Sequence, residues 1–278
     1  MKRIAVQGIA GSFHEDAARK YFDDDIEVVE CKTFTTVCEL IDNDQVDFAV
    51  MAIENSIAGS LLKNYQLIRD YHLRIIGEIY LHIQMNLLAN TGVKPADIKE
   101  IHSHPIALQQ CMEYIEKYYS EAKLHEALDT AGSSKYISEE KLTNAASIGN
   151  LRSAELYGLN VLETGIETNK KNYTRFLILS KHGNPTVGTN KASVCFEVGH
   201  FHGALARVLN VFAKNEINLT KIQSVPKVGK PNEYTFHVDI EWEKPENYDK
   251  AIHQVLKSAS SLSILGEYVR GELGIHNQ

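Results

Sequence analysis

The sequence predicts an α/β region with largely parallel strands, followed by a smaller ferredoxin-like βαββαβ sandwich. Three observations carry this. From residue 1 to about 180, short apolar runs alternate with helical patterns, the order of a layered α/β fold. The stretch "SKHGNPTVGTNK", Ser180 to Lys191, is rich in Gly, Asn, Thr and Pro and reads as a linker. Beyond it the order becomes strand, helix, strand, strand, helix, strand, which lays one helical layer on an antiparallel sheet. The division is therefore 1–180, 181–191 and 192–272.

In the first region the candidate strands are Arg3–Gln7, Glu27–Glu30, Asp47–Ile53, Gln84–Ala89, Glu100–His102, Ala145–Ile148 and Arg175–Leu179. Phe176 to Leu179 are consecutive apolar residues, the pattern of a strand buried on both faces in a parallel sheet. Helices are predicted between strands, among them Glu15–Phe22 and Ala107–Tyr119. Ser12 and Glu15 have the S-x-x-E spacing of a capping box. Three more stretches read as helix starts: "IENSIAGS" with Asn55, Ser56 and Ser60, "SHPIALQQC" with Pro105 after His104, and "DTAGSS" with Thr130 and Gly132. The second region predicts strands Ala192–Val198, Leu219–Val225, Glu233–Trp242 and Ser263–Val269, with helices Gly203–Lys214 and Asn247–Ser258. Leu205, Val208, Leu209 and Phe212 fall on one face of the first of these helices.

The chain has 278 residues, enough for two ordinary domains, with 44% hydrophobic and 23% charged residues, as in a soluble globular protein. Its net charge of −7 argues against nucleic-acid and anionic-membrane partners. Cys31, Cys38, Cys111 and Cys195 form no CxxC pair, which suits free thiols in a reducing cytosol. The N-terminal apolar run is too short for a signal sequence, and the expected location is the cytoplasm.

An acidic protein that binds an anion needs a local site. Strand-to-helix turns of an open α/β sheet gather at one edge, and helix N-termini there offer free N–H groups to carboxylates. Together with Arg175 they suit a ligand carrying more than one carboxylate. "GIAGSF" is G-x-x-G rather than G-x-G-x-x-G, so a dinucleotide site is not indicated. His102-x-His104 and His200-x-His202 lack nearby partners at ligand spacing, so no metal is expected.

The segments "GSFHEDAA", "IENSIAGSL", "HPIALQQC", "DTAGSS", "NAASIGN" and "YTRF", with "GALARVLNVFAKNEINLTKI" after the linker, together resemble the prephenate dehydratase family with a C-terminal ACT regulatory domain. The resemblance spans the chain. It implies two α/β subdomains flanking a cleft, as in type II periplasmic binding proteins, and a homodimer or homotetramer. No chorismate mutase segment precedes the first strand, so the monofunctional form is expected.

The implied reaction is conversion of prephenate to phenylpyruvate, water and carbon dioxide, driven by aromatisation and requiring no cofactor. The resemblance assigns catalysis to Thr174, Arg175 and Phe176. Thr174 delivers a proton or hydrogen bond to the leaving hydroxyl, directly or through a relay, while Arg175 pairs with a carboxylate and Phe176 packs the ring or the cleft wall. Strict strand alternation would send Thr174 and Arg175 to opposite faces, so either the chain is irregular there or one of them is structural. Ser12, Phe13, Asn55, Ser56, His104, Thr130, Ala131 and Gly132 are the expected substrate-binding residues. Phenylalanine is the expected effector, bound between ACT domains of neighbouring subunits by Gly203, Ala204, Leu205, Asn218, Leu219, Gln223 and Ser224. The family's usual Glu-Ser-Arg-Pro stands here as Gln223-Ser224-Val225-Pro226, two charges fewer. Arogenate dehydratase and a catalytically silent amino-acid-binding module are the alternatives.

Overall fold

The structure is a computed structural model that describes residues 1–183, 187–227 and 229–273. Of the expected linker, residues 184–186 lie outside the described residues. The first lobe runs β1 (Lys2–Gln7), α1 (Phe13–Phe22), β2 (Ile26–Cys31), α2 (Phe34–Asp42), β3 (Phe48–Asn55), β4 (Gly59–Ser60), α3 (Leu62–Asp70) and β5 (Arg74–His82). The chain then crosses to a second lobe: β6 (Asn86–Ala89), β7 (Glu100–Ser103), α4 (Pro105–Gln110), α5 (Met112–Tyr118), β8 (Lys123–Glu126), α6 (Thr130–Glu139), β9 (Ala145–Gly149), α7 (Leu151–Tyr157) and β10 (Asn160–Glu163). It returns as β11 (Tyr173–Ser180), which completes the first sheet in the order β2-β1-β3-β11-β5.

The expectation of largely parallel sheets is corrected. β11 is antiparallel to both β3 and β5, and in the second sheet, β10-β6-β9-β7-β8, β6 is antiparallel to both its neighbours. Phe176 to Leu179 are buried on both faces as read, but in an antiparallel setting, because the returning chain enters from the opposite end. The single helix expected over 107–119 is two helices broken at Cys111, whose backbone leaves the helical region at φ −105°, ψ 10°. β5 was not foreseen. Its glycine is a packing requirement: a Cβ on Gly77 would lie 2.2 Å from the Tyr21 hydroxyl.

The third sheet, β13-β14-β12-β15, is built from β12 (Lys191–Glu197), α8 (Ala204–Lys214), β13 (Asn218–Pro226), β14 (Tyr234–Glu241), α9 (Pro245–Ser258) and β15 (Ser261–Tyr268). This is the βαββαβ order read from the sequence. It packs closely on the first lobe. Cys195, Leu265 and Tyr268 share a core with Met51, Ile75 and Leu177, and a Cβ on Gly266 would sit 1.9 Å from the Ile75 carbonyl oxygen. Among the described residues no helix is long and apolar enough to cross a membrane.

Candidate active site

A cleft of about 670 Å³ opens between the two lobes, where four helix N-termini and the entry of β11 converge. At α1, Ser12 Oγ accepts the Glu15 N–H at 3.3 Å, and the Glu15 carboxylate accepts the Gly11 N–H at 2.7 Å. At α2, Thr33 Oγ1 accepts the Thr36 N–H at 3.1 Å. At α4, Pro105 takes the first helical position and His104 Nδ1 accepts the Ile106 N–H at 3.2 Å, leaving Nε2 to carry the ring proton of the neutral form. α6 begins at Thr130, but Asp129 caps it by accepting the Gly132 N–H. Each hydroxyl cap spends a lone pair and keeps its O–H as a donor.

"IENSIAGS" is not a helix start; it is the β3–β4 hairpin, and α3 begins later at Leu62 without a side-chain cap. Asn-Ser and Gly-Ser signals serve turns as well as caps. Asn55 Oδ1 accepts the Ile57 and Ala58 N–H groups at 2.9 and 2.8 Å, which fixes its amide orientation. Its Nδ2 therefore donates to Thr174 Oγ1 at 2.9 Å and to Asn172 Oδ1 at 2.8 Å, and Asn172 in turn donates to Gln110 Oε1 at 3.1 Å. With one lone pair of Thr174 taken by a donor, its own O–H is free to donate into the cleft.

Beside Thr174, Phe176, His14 and Phe34 make an aromatic wall, with His14 edge-on to Phe176 at 5.1 Å and tilted to Phe34 at 5.4 Å. Burial pushes the His14 pKa down to about 4, so the ring is neutral at neutral pH. Its Nε2 accepts the Ala52 N–H at 3.3 Å, which puts the ring proton on Nδ1. Among the lining residues Lys32 is the one lysine or arginine and Asp129 the one carboxylate. The cleft is thus an apolar slot with hydroxyl donors, helix N-termini and a single lysine at its walls.

Of the residues expected to meet substrate, Ser12, Phe13, Asn55, His104, Thr130, Thr174 and Phe176 line this cleft. Ser56, Ala131 and Gly132 do not. The Ser56 hydroxyl accepts the Tyr173 N–H and donates to the Lys171 carbonyl, Ala131 is buried inside α6, and the Gly132 N–H is taken by Asp129. Arg175 is a clear correction. Alternation turns it to the opposite face of β11 despite the register shift beside it, and all three of its guanidinium nitrogens are engaged there. Nε donates to Glu78 at 2.6 Å, Nη1 pairs with Asp239, and Nη2 donates to the Tyr268 hydroxyl at 3.0 Å.

His14, Lys32, Phe34, Gln110 and Asn172 were not singled out from the sequence. His14 stood in plain view after Phe13, and Lys32-Thr33 follows a strand with a cap residue. Gln110 and Asn172 carried no local signal, since they meet only through folding. On the third sheet, Gly203, Ala204 and Leu205 border a cavity of about 340 Å³. Asn218 and Leu219 lie at the other end of β13, whereas Gln223 and Ser224 run towards the cavity's Phe236 and Tyr234. One chain alone does not gather all seven. A larger groove of about 830 Å³, between α5 and residues 162–170, gathers no comparable set of helix N-termini.

A family profile described as prephenate dehydratase matches residues 4–184. Arogenate dehydratase 2 of Petunia hybrida is 39% identical, the match covering 96% of this chain and 71% of that protein. Arogenate dehydratase/prephenate dehydratase 2, chloroplastic, of Arabidopsis thaliana is 37% identical over 96% of this chain and 72% of that one. The crystal structure of prephenate dehydratase from Arthrobacter aurescens in complex with L-Phe superposes with a TM-score of 0.87 at 28% identity, covering 96% of this chain and 90% of the other. With the cleft, its TRF segment and these relatives in agreement, the chain belongs to the prephenate dehydratase family.

Proposed function

We propose that the cleft converts prephenate to phenylpyruvate. The observation that carries this is the Asn55–Thr174 hydrogen bond, which leaves the Thr174 O–H as a donor beside an aromatic wall. The ring carboxylate departs as carbon dioxide, and its bonding pair enters the ring. The ring hydroxyl leaves from the opposite carbon and takes up one proton to become water. Thr174 donates to that oxygen, and solvent replaces the proton through the cleft mouth. Lys32 and the N-termini of α1, α2 and α6 hold the two carboxylates, an arrangement that orients the dianion while Phe176, His14 and Phe34 flank the ring. A general acid of this kind contributes ~10²–10⁴-fold.

A second reading, arogenate as substrate, is supported by Asp129, whose carboxylate lines the cleft and offers an acceptor to an ammonium group. The deciding experiment incubates the purified protein with prephenate and with arogenate in parallel. Phenylpyruvate from the first supports the primary reading, and phenylalanine from the second alone supports the other. No product from either leaves a binding module. Phenylalanine is the proposed effector, held where Gly203–Leu205 border their cavity and completed by β13 of a second subunit in a dimer or tetramer. Calorimetric titration with phenylalanine tests it, and absence of heat would remove the effector.

A further inference from the structure

We propose that Glu100, His102 and His125 form a binding site for a divalent transition-metal ion of the zinc type, separate from the cleft. Spacing along the chain does not reveal the second imidazole, because His125 arrives on the next strand. β7 and β8 pair in parallel with His102 opposite His125, and Glu100, two residues earlier, shares their face. The two rings stack at 4.4 Å, 6° from parallel. Both Nε2 atoms stand 3.4 Å from the same oxygen, Glu100 Oε2.

Both nitrogens are also buried without a hydrogen-bond partner. Native structures rarely leave such atoms unpaired, and here two of them converge on one carboxylate. The spacing is informative. Ligands about 2.0–2.2 Å from a tetrahedral zinc ion lie roughly 3.3–3.5 Å apart, which matches both carboxylate-to-imidazole separations. Two imidazoles and a carboxylate are also a donor set suited to zinc. Imidazole lone pairs lie in the ring plane, so parallel rings cannot both point at one ion. His125, with a side chain 30% exposed, has room to tilt, while His102 is held in place. Glu100 is partly exposed, which lets water supply the fourth ligand.

β8 is a short edge strand of the second sheet, so the ion would clip that edge to β7, whose far end leads to His104 in the cleft. The full chain, stripped with chelator and dialysed, is titrated with Co²⁺ for its visible ligand-field band and with Zn²⁺ in competition. The expected result is a single ion per chain in a low-symmetry nitrogen–oxygen site, displaced by Zn²⁺. His125→Asn and Glu100→Gln should each weaken binding by more than the ~10–100-fold typical of losing an outer-shell partner. A His200→Asn, His202→Asn variant, which alters the other His-x-His pair, should bind as wild type. Absence of a Co²⁺ band in the stripped wild type overturns the proposal, as does a site lost with His200 and His202 but kept in His125→Asn.

Discussion

In the proposed reaction Thr174 acts through the way its neighbours fix its hydroxyl. Asn55 cannot turn its amide round without giving up two backbone N–H groups, so it must donate to Thr174. Thr174→Ala should lower kcat by ~10²-fold or more with little change in the melting temperature, and Thr174→Ser should keep part of the activity. A sharper check is Asn55→Asp. The carboxylate still accepts from Ile57 and Ala58, but it now attracts the Thr174 proton, so kcat at saturating substrate should fall by ~10²-fold, as in Thr174→Ala, while the added charge also raises KM for a dianion. If Asn55→Asp turned over at the normal rate, the hydroxyl's direction would not matter to the reaction.

At the scale of elements, the cleft depends on how α1 and its preceding loop meet α7 across the lobes. Asn150 Nδ2 donates to Asp16 at 2.6 Å, and Ser153 Oγ donates to the Gly11 carbonyl at 2.9 Å. Burial pushes the Asp16 carboxyl up to about 6, against the pull of Asn150 and Arg152. A carboxyl raised in the fold stabilises it most below its unfolded pKa, and that contribution is lost as pH rises through about 6. Asp16→Asn keeps the bond from Asn150 and removes the buried charge. It should therefore stabilise by ~1–3 kcal/mol at about pH 8, and the gain should vanish near pH 4. Coincident melting curves at the higher pH would count against this account. The elements themselves were unevenly legible. Ser12, Pro105 and the α8 face had local signatures, whereas Asn55 shared its signals with a turn and β8 was too short to stand out. Strand order lay beyond reach, since no local pattern tells β11 to enter between β3 and β5.

For the whole molecule, Arg175 joins the first lobe to the third sheet. Two cations, Arg175 and Lys191, and two carboxylates, Glu78 and Asp239, are buried there with Ser193 and Tyr268. Burial pushes the Asp239 carboxyl up, but Arg175 and Ser193 outweigh it and hold it below the usual range. Arg175→Met should cost ~3–5 kcal/mol by leaving the buried Asp239 carboxylate without a cation, while Glu78 keeps Lys191, and Arg175→Lys should cost less. Denaturant melts would show this, and an unchanged midpoint with a raised KM would return Arg175 to the substrate. β11 also has a history that its final position hides. The second lobe, residues 86–163, lies wholly between β5 and β11 in the chain. At ~5–20 residues per second, a ribosome takes roughly 5–20 s to pass from the end of β5 to the start of β11. Throughout that interval β3 keeps one bare edge and β5 has no sheet partner, so the second lobe can mature while the first waits open. The strand that brings Thr174 is the one that closes the sheet, so on a nascent chain the Thr174 hydroxyl and its finished surroundings arrive together.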